Sequence, residues 1–407
     1  MQTHLADFIR DTPQGQEAAA ILRSCVHCGF CNATCPTYQL LGDELDGPRG
    51  RIYLMKQMLE GQPVTRVTRD HLDRCLTCRN CETTCPSGVQ YGRLIDIGRE
   101  VVEKLSPRPL GERLLRRGLR RTLASPRLFG SLLKLGRGVS WALPGGLREH
   151  LAPRSPDGAQ RNPGYEVGHP LTRRMLILEG CVQPTLAPET NLAAARVLGY
   201  LGIQLIAAPE AGCCGAIDQH LAAPEAAKAA MRRNIDAWWP TIETGAEAIV
   251  MTASGCGSTV KEYGQHLRDD PAYAEKAARV SRLTLDLAEV LAREDLSHLR
   301  KGAPRRVAFH PPCSLQHGQK VRGVIEAILT GLGHELVPVQ EAHLCCGSAG
   351  TYSLLQPELS GQLRERKLTH LQAAKPDLIA TANIGCQSHL AAAGGVPVVH
   401  WISLLAE

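Results

Sequence analysis

The chain has 407 residues, of which 43% are hydrophobic, 21% charged and 4% aromatic, and its net charge is +6. This length predicts two or three domains, because single cores rarely grow beyond about 250–300 residues. The low aromatic share argues against a nucleic-acid partner that stacks bases on aromatic side chains. No segment approaches the roughly 20 apolar residues of a membrane-spanning helix.

The first 24 residues are predicted to form a short helical lead-in. Asp7, Arg10 and Asp11 stand where a secretory signal needs an apolar core, so we expect the protein to stay in the cytoplasm. A disulfide scaffold is typical of small secreted chains. The sixteen cysteines of this longer chain therefore favour metal binding.

Two matching cysteine runs follow, fifty residues apart, each with the spacing C-x2-C-x2-C-x3-C-P. They are Cys25, Cys28, Cys31 and Cys35 before Pro36, and Cys75, Cys78, Cys81 and Cys85 before Pro86. In two-cluster ferredoxins the fourth cysteine of each run ligates the other cluster. The runs therefore predict two 4Fe-4S clusters, one held by Cys25, Cys28, Cys31 and Cys85, the other by Cys75, Cys78, Cys81 and Cys35.

A pair of zinc sites is the alternative interpretation of these runs. It is disfavoured because zinc ribbons and fingers rarely pack four cysteines into eleven residues. His27, beside Cys28, is expected to tune the site locally or to lie at the surface, since the thiolate set is already complete. Between the runs, Pro48 and Gly61 predict the start and the end of a helix.

Residues 101–170 form a basic segment. Between residues 108 and 154, eleven Lys or Arg residues oppose two acidic ones, which gives a local net charge of +9. Helical spacing relates Leu110, Leu114, Leu115, Leu119 and Leu123, and a second helix is predicted to carry Phe129, Leu132, Leu133 and Val139. Such a helix can lie on an anionic membrane surface or pack against protein, and the pattern favours neither. After Trp141, Pro and Gly residues predict a linker.

From about residue 172 the chain is an internal duplication. Each copy has a single cysteine, a Cys-Cys-Gly turn and another single cysteine: Cys181, Cys213, Cys214 and Cys256, then Cys313, Cys345, Cys346 and Cys386. Strands are predicted at 175–178, 203–207, 248–252, 307–309, 335–339 and 378–381, and helices at 191–201 and about 222–238. Alternating strands and helices predict two parallel α/β sheets, with the cysteines just past the carboxyl ends of the strands.

These repeats resemble the cysteine-rich CCG domain of heterodisulfide reductases and of iron–sulfur subunits of flavin-linked hydroxy-acid dehydrogenases. With the two ferredoxin-type runs and the sequence DGPRGRIYLMKQ between them, the whole chain resembles the family of glycolate oxidase iron–sulfur subunits. It is also similar to the third subunit of anaerobic glycerol-3-phosphate dehydrogenase. The resemblance implies a small α-helical ferredoxin-like module before two parallel α/β CCG domains. The implied divisions are 1–100, 101–170, 171–300 and 301–407.

The resemblance also implies one or two further iron–sulfur clusters in the repeats. The fuller family pattern ends in C-x-x-C, but Thr259 and His389 occupy its last position here, which argues against a five-cysteine cluster. His389 is a candidate additional ligand, whereas His310 and His220 are expected to be hydrogen-bonded structural histidines. A repeat that has lost its metal remains an alternative. A strained disulfide between adjacent cysteines is less favoured.

The sequence contains no dinucleotide-binding, P-loop or zinc-protease motif. Because clusters accept single electrons, a two-electron oxidation implies FAD on another subunit. The resemblance therefore implies a subunit that takes electrons from a flavoprotein oxidising glycolate to glyoxylate, or D-lactate to pyruvate. It would pass them to a membrane acceptor, expected to be quinone, as a peripheral protein on the cytoplasmic face of the inner membrane. The alternatives are a glycerol-3-phosphate dehydrogenase or heterodisulfide-reductase-like complex, and a non-enzymatic redox sensor or scaffold.

Overall fold

The computed structural model describes residues 1–138, 171–299 and 302–406. The predicted linker after Trp141, and Val139 of the second basic helix, lie outside the described residues. The described chain consists of a helical amino-terminal module, two helices of the basic segment and two four-stranded parallel sheets. This arrangement confirms the predicted fold class. The division at residues 100, 170 and 300 remains a prediction.

The amino-terminal module is made of short helices around the two cysteine runs. The α-helices are Asp7–Arg10, Pro13–Ser24, Pro36–Leu41, Pro48–Leu59, Arg66–Asp73, Asn80–Thr84 and Tyr91–Leu105, and the 3-10 turns are Phe30–Thr34 and Glu44–Asp46. The helix between the runs begins at Pro48, whose missing N–H would have no partner there anyway. Gly61, with a φ of 86°, follows its end as predicted.

A buried network of charged groups holds the first run against the helix that precedes the second. The Asp46 carboxylate accepts hydrogen bonds from Arg51 Nη2 at 3.3 Å and from Arg74 Nη1 at 2.9 Å. Arg51, which is 1% exposed, also donates through Nε to the His71 carbonyl at 2.7 Å and through Nη2 to Thr37 Oγ1 at 3.1 Å. Arg51 therefore ties together segments that flank Cys35 and Cys75.

The basic segment forms two helices, Leu110–Ala124 and Pro126–Gly138. The first begins just after Arg108, which is paired with Asp73 through two hydrogen bonds of 2.6 and 2.9 Å. These helices connect the amino-terminal module to the part of the chain that precedes the repeats. Among the helices in the described ranges, none combines the length and the apolar character that a membrane span requires.

The two repeats form sheets of the same topology. The strands are β1 Arg173–Ile177, β2 Ile203–Ala207, β3 Ile249–Met251 and β4 Thr284–Asp286, then β5 Arg306–His310, β6 Glu335–Leu336, β7 Leu378–Thr381 and β8 Val398–His400. Their orders are β2-β1-β3-β4 and β6-β5-β7-β8, with every pair parallel. The six predicted strands are present. The edge strands β4 and β8, of three residues each, were not predicted from the sequence.

Helices cover both sheets. In the first repeat they are Gln183–Leu186, Pro188–Tyr200, Ala216–His220, Pro224–Glu243, Ser254–Lys261, Tyr263–His266, Ala274–Leu283 and Leu287–Leu291. In the second they are Val324–Gly331, Tyr352–Leu355, Pro357–Gln372 and Ile384–Ala391, with a π turn at Ser314–Gly318 and a 3-10 turn at Trp401–Leu405. The helices predicted at 191–201 and 222–238 are therefore present with somewhat wider bounds.

One hydrophobic cluster is shared by the two repeats. It combines Val250 and Leu287 of the first repeat with Val307, Leu329 and Trp401 of the second, all nearly or fully buried. Polar contacts continue this interface, because Ser254 N donates to the Ala382 carbonyl at 3.1 Å. The two cysteine-rich repeats are therefore packed directly on each other.

The buried network around Arg51 gives a stability prediction. Asp46→Ala leaves the fully buried Arg51 guanidinium without its carboxylate, so we expect a loss of about 3–5 kcal/mol in the free energy of unfolding. The matched control is Asp70→Ala, which removes an exposed pair with Arg66 and should cost about 0.5 kcal/mol. Anaerobic denaturant titration followed by far-ultraviolet circular dichroism measures both. Equal midpoints for the two variants would contradict this role of Asp46.

Candidate metal centres

The two cysteine runs have the same unusual backbone at matching positions. The residues directly before and after the second cysteine have left-handed conformations: His27 and Gly29 in the first run, Thr77 and Arg79 in the second, with φ between 52° and 87°. For His27, Thr77 and Arg79 this conformation is costly, and such residues persist only where their surroundings impose it. Each run therefore adopts a tight loop whose shape is imposed by its surroundings.

The first cavity of the module collects sulfur atoms from both runs. It is lined by Cys25, Cys28 and Cys31 of the first run and by Cys85 of the second, together with Cys81. Burial raises the pKa of the Cys31 thiol to about 11, and the neighbouring Cys25 adds to the effect. Cys28 is exposed, which puts this cavity at the surface of the module.

The second cavity combines one cysteine of the first run with three cysteines of the second. Cys35 of the first run lines it together with Cys75, Cys78 and Cys81 of the second. Burial raises the pKa of Cys81 well above its usual range, and the charges of Cys78, Cys75 and Cys35 raise it further. Four thiols around one cavity, three of them buried, can ionise together only if cations offset their charge.

Polar groups that the sequence did not reveal position the Cys75 loop. Arg99 is buried and donates to the carbonyls of Cys75 at 2.6 Å and Leu72 at 2.9 Å. Tyr91, which is also buried, directs its hydroxyl to Cys75 Sγ at 3.7 Å. Nothing in the sequence around Arg99 or Tyr91 distinguishes them from other helical residues. Their role follows only from the packing of the helix Tyr91–Leu105 on the cysteine loop.

The first cysteine-rich repeat brings its four predicted ligands together past the carboxyl ends of β1, β2 and β3. The side chains interact in succession, Cys181 with Cys213, Cys213 with Cys214, and Cys214 with Cys256. Hydrogen bonds from Cys181 and Cys214 lower the pKa of Cys213 to about 3. The sulfur-rich donor set suits thiophilic metals such as iron in clusters or zinc.

The four cysteines of the second repeat interact in the same order as those of the first. Cys313 interacts with Cys345, Cys345 with Cys346, and Cys346 with Cys386. All sixteen cysteines lie within the described ranges, and none of them forms a disulfide there.

In both repeats the conformation of the Cys-Cys-Gly turn requires glycine at its third position. Gly215 and Gly347 have φ values of 94° and 91°. A Cβ atom at Gly347 would approach the Ser360 carbonyl oxygen to 2.6 Å. Glycine is therefore required for the turn to pack against the long helix that follows it.

One basic residue from that long helix reaches the segment around each Cys-Cys turn. In the first repeat Arg233 Nη2 donates to the Cys213 carbonyl at 3.0 Å. In the second, Lys367 Nζ donates to the Glu341 carbonyl at 2.7 Å, and the residue is 2% exposed. These cations partly offset the negative charge of ionised thiols, and the sequence analysis did not identify them.

The histidines of the second repeat differ from the sequence-based expectation. His389 Nε2 lies 3.2 Å from Ser360 Oγ, which itself donates to the Gly347 carbonyl. His310 was expected to be hydrogen-bonded, but neither of its ring nitrogens has a hydrogen-bond partner among the described residues. One ring nitrogen of His310 lies within 4.8 Å of the thiols of both Cys346 and Cys386. In the first repeat His220 Nδ1 is likewise buried without a hydrogen-bond partner in the described part of the chain.

The second cavity of the module adjoins the thiols of the second repeat. Leu76 and Cys78 belong to the same apolar cluster as Cys313, Cys345 and Tyr352. Besides burial, the charge of Cys313 is the largest influence that raises the pKa of Cys78. Thiols of the two sites are therefore close enough to interact electrostatically.

The module also contacts both repeats through polar groups. Arg79 forms a two-pronged ion pair with Glu262 of the first repeat, in which Nη2 donates to Oε2 at 2.7 Å. Asn80 donates to the His343 carbonyl of the second repeat at 3.2 Å, and Thr83 Oγ1 lies 3.0 Å from His317 Nδ1. Several contacts therefore fix the position of the second cysteine run relative to the repeats.

Comparison with known proteins agrees with this organisation. Residues 21–89 match the family described as 4Fe-4S dicluster domain, and residues 175–261 and 307–391 each match the family described as Cysteine-rich domain. The chain is 56% identical to the glycolate oxidase iron-sulfur subunit of Escherichia coli, over 100% of this chain and 99% of the relative. It is 32% identical to a probable glycolate oxidase iron-sulfur subunit of Bacillus subtilis, over 95% and 94% of the two chains.

A more distant relative also aligns with nearly the whole of this chain. The chain is 24% identical to a fumarate reductase (CoM/CoB) subunit of Methanothermobacter marburgensis, over 96% of this chain and 72% of the relative. The matched domains account for the cysteine pattern, and the prediction of iron–sulfur clusters is confirmed. Which cysteines ligate each cluster remains a prediction.

The exchange of fourth ligands can be tested with two variants. Cys85→Ala should perturb the cluster associated with Cys25, Cys28 and Cys31, because Cys85 lines their cavity. The matched variant Cys35→Ala should perturb the other cluster instead. Electron paramagnetic resonance of the reduced, anaerobically purified variants distinguishes the two signals. If each substitution altered the cluster of its own run, the exchange would be wrong.

Proposed function

The chain belongs to the family of glycolate oxidase iron–sulfur subunits, and we propose that it takes electrons from an FAD-containing partner subunit that oxidises glycolate to glyoxylate. The oxidation removes two electrons and two protons from the alcohol, which a flavin can accept together. Iron–sulfur clusters held by the two cysteine runs would supply the matching one-electron chemistry. Cysteine sites without a dinucleotide-binding motif support a role in electron transfer rather than in substrate oxidation.

We assign the ligands of the two ferredoxin-type clusters as exchanged sets. The first comprises Cys25, Cys28, Cys31 and Cys85, and the second comprises Cys75, Cys78, Cys81 and Cys35. The observation that carries this assignment is that each set lines its own cavity. The two cavities share Cys81 as a lining residue, so the sites adjoin, as stepwise transfer of single electrons requires.

The positions of the sites suggest an order of transfer. The first cavity opens at the surface beside Val26 and Phe30, which are 69% and 61% exposed. Exposed apolar side chains around a redox site offer a contact surface for a partner protein. The second cavity adjoins the thiols of the second cysteine-rich repeat. We therefore propose that electrons pass between the partner and the second repeat through the two ferredoxin-type clusters.

We also propose that the basic helices attach the chain to the cytoplasmic face of the inner membrane. Arg116 and Arg120 of the first helix are paired with Asp73 and Asp218 of the chain itself, at 3.0 and 2.5 Å. Six leucines of the two helices are exposed, whereas Leu133 is buried; the exposed ones are Leu110, Leu114, Leu115, Leu128, Leu132 and Leu135. The exposed basic residues beside them are Arg113, Arg117, Arg121, Arg127 and Lys134. Leucine and arginine side chains together suit an anionic lipid surface, and quinone is the proposed acceptor there.

The catalytic partner can be identified by purifying the tagged chain anaerobically. We expect a flavoprotein to co-purify and glycolate to reduce a quinone analogue. Glycolate should still reduce the flavin when this chain carries Cys78→Ala, but reduction of the quinone analogue should be abolished. D-lactate and glycerol-3-phosphate serve as comparison substrates. Activity with glycerol-3-phosphate alone, or a chain that purifies without a partner, would contradict the proposed function.

Membrane attachment can be tested by flotation with vesicles that contain phosphatidylglycerol. The test variant changes the exposed Arg113, Arg117, Arg121 and Arg127 to Glu, which should abolish flotation, since each basic residue near an anionic surface contributes about 1 kcal/mol. The control makes the same charge change on other elements, at Arg23, Arg66, Arg282 and Arg293, and should float like the wild type. Flotation of the test variant would contradict membrane attachment. Loss of the flavoprotein from that variant instead would assign these helices to the partner.

A further inference from the structure

We propose that His310 is a ligand of an iron atom in the second cysteine-rich repeat, so that the two repeats hold chemically different centres. The second centre then has a nitrogen donor beside Cys313, Cys345, Cys346 and Cys386, whereas the first has thiolates alone. This inference rests on the electron-transfer role proposed above and adds a residue to it.

The environment of His310 is unusual for a structural histidine. It is the last residue of β5, it is fully buried, and neither Nδ1 nor Nε2 has a hydrogen-bond partner among the described residues. Buried polar groups in folded proteins nearly always have a partner, so an imidazole with two unpaired nitrogens needs an explanation. A metal ion bound to one nitrogen supplies the missing partner.

The neighbours of His310 are thiols with the geometry of a shared site. One donor atom each of His310, Cys346 and Cys386 lies within 4.8 Å of the others, and all three residues are buried. Imidazole and thiolate are joint ligands of iron in iron–sulfur proteins. His389, which occupies the position of the missing fifth cysteine, instead contacts Ser360. The nitrogen donor therefore comes from β5 and not from the helix Ile384–Ala391.

The first repeat provides an internal comparison. Leu178 stands three residues before Cys181, as His310 stands three residues before Cys313. Leu178 is buried in an apolar cluster that also contains Cys214, and it offers no donor atom. Thr259, at the position of the missing fifth cysteine, donates its hydroxyl hydrogen to the Gly255 carbonyl at 3.2 Å. The duplicated fold therefore holds a nitrogen donor in the second copy and an apolar side chain in the first.

A histidine ligand in the second repeat would affect the reduction potential of its metal centre. A neutral imidazole at position 310 adds no negative charge to the metal centre, so the centre should have a higher reduction potential than it would with a thiolate at the same position, as in clusters with histidine ligands. The second repeat is also the one whose thiols adjoin Cys78. Buried Lys367 adds positive charge to the same site. The second repeat is therefore the site in this chain that is best suited to accept electrons from the ferredoxin-type clusters.

The test is pulsed electron paramagnetic resonance of the full-length, anaerobically purified chain, poised over a series of potentials and labelled with ¹⁵N-histidine. We expect a strongly coupled histidine nitrogen in the wild type. His310→Leu, which introduces the residue of the first repeat, should eliminate this coupling, and His389→Leu should retain it. No coupling at any potential, or coupling that survives in His310→Leu, would overturn the proposal.

A second variant separates loss of a ligand from loss of the fold. His310→Cys provides a thiolate at the same position, so it should keep the iron of the second repeat while losing the nitrogen coupling and lowering the reduction potential. An unchanged potential would overturn the proposed influence of His310. The signals of the two ferredoxin-type clusters report correct folding in every variant. Because none of these measurements uses glycolate or a flavoprotein, a wrong substrate assignment would leave them unaffected.

Discussion

The structure depends on gathering thiols from distant parts of the chain into small buried groups. Cys35 lies with the second run and Cys85 with the first, although about fifty residues separate the runs. Burial and mutual repulsion raise the pKa values of Cys78 and Cys81, so ionised thiolates at these positions need bound cations. Ligation would remove this penalty, so we expect metal binding to stabilise the folded amino-terminal module.

This constraint also explains the buried charges around the thiols. Arg51 and Arg99 donate to backbone carbonyls beside the second run, while Arg233 and Lys367 act similarly near the Cys-Cys turns. Each of these groups fixes a loop and places positive charge near sulfur. The packing of the module against both repeats then brings the cavity lined by Cys35 and Cys78 next to the thiols of the second repeat. That contact supports the proposed transfer of electrons from the module to the second repeat.

Much of this arrangement was predictable, since the spacing of the cysteines is typical of iron–sulfur clusters and the alternation of strands and helices is typical of a parallel sheet. The edge strands β4 and β8 were not predicted; β4 lies directly between the helices Ala274–Leu283 and Leu287–Leu291, with no turn residue to separate it from them. For the basic helices, the sequence pattern did not distinguish between binding to a membrane surface and packing against protein. Only the structure shows that Arg116 and Arg120 pair with the chain's own carboxylates while six leucines of the two helices stay exposed. His310 was misjudged because a single histidine has no spacing signal, and its unpaired nitrogens appear only in three dimensions.

The central claim is that the thiolates hold iron and inorganic sulfide, so that the chain conducts electrons between a catalytic partner and an acceptor. The most direct test is metal and acid-labile sulfide analysis of the anaerobically purified wild type, combined with ⁵⁷Fe Mössbauer spectroscopy. The account predicts iron and sulfide in similar amounts, about eight of each from the ferredoxin-type clusters alone, with the spectrum of 4Fe-4S centres. A colourless protein that contains zinc, with little iron or sulfide, would contradict it.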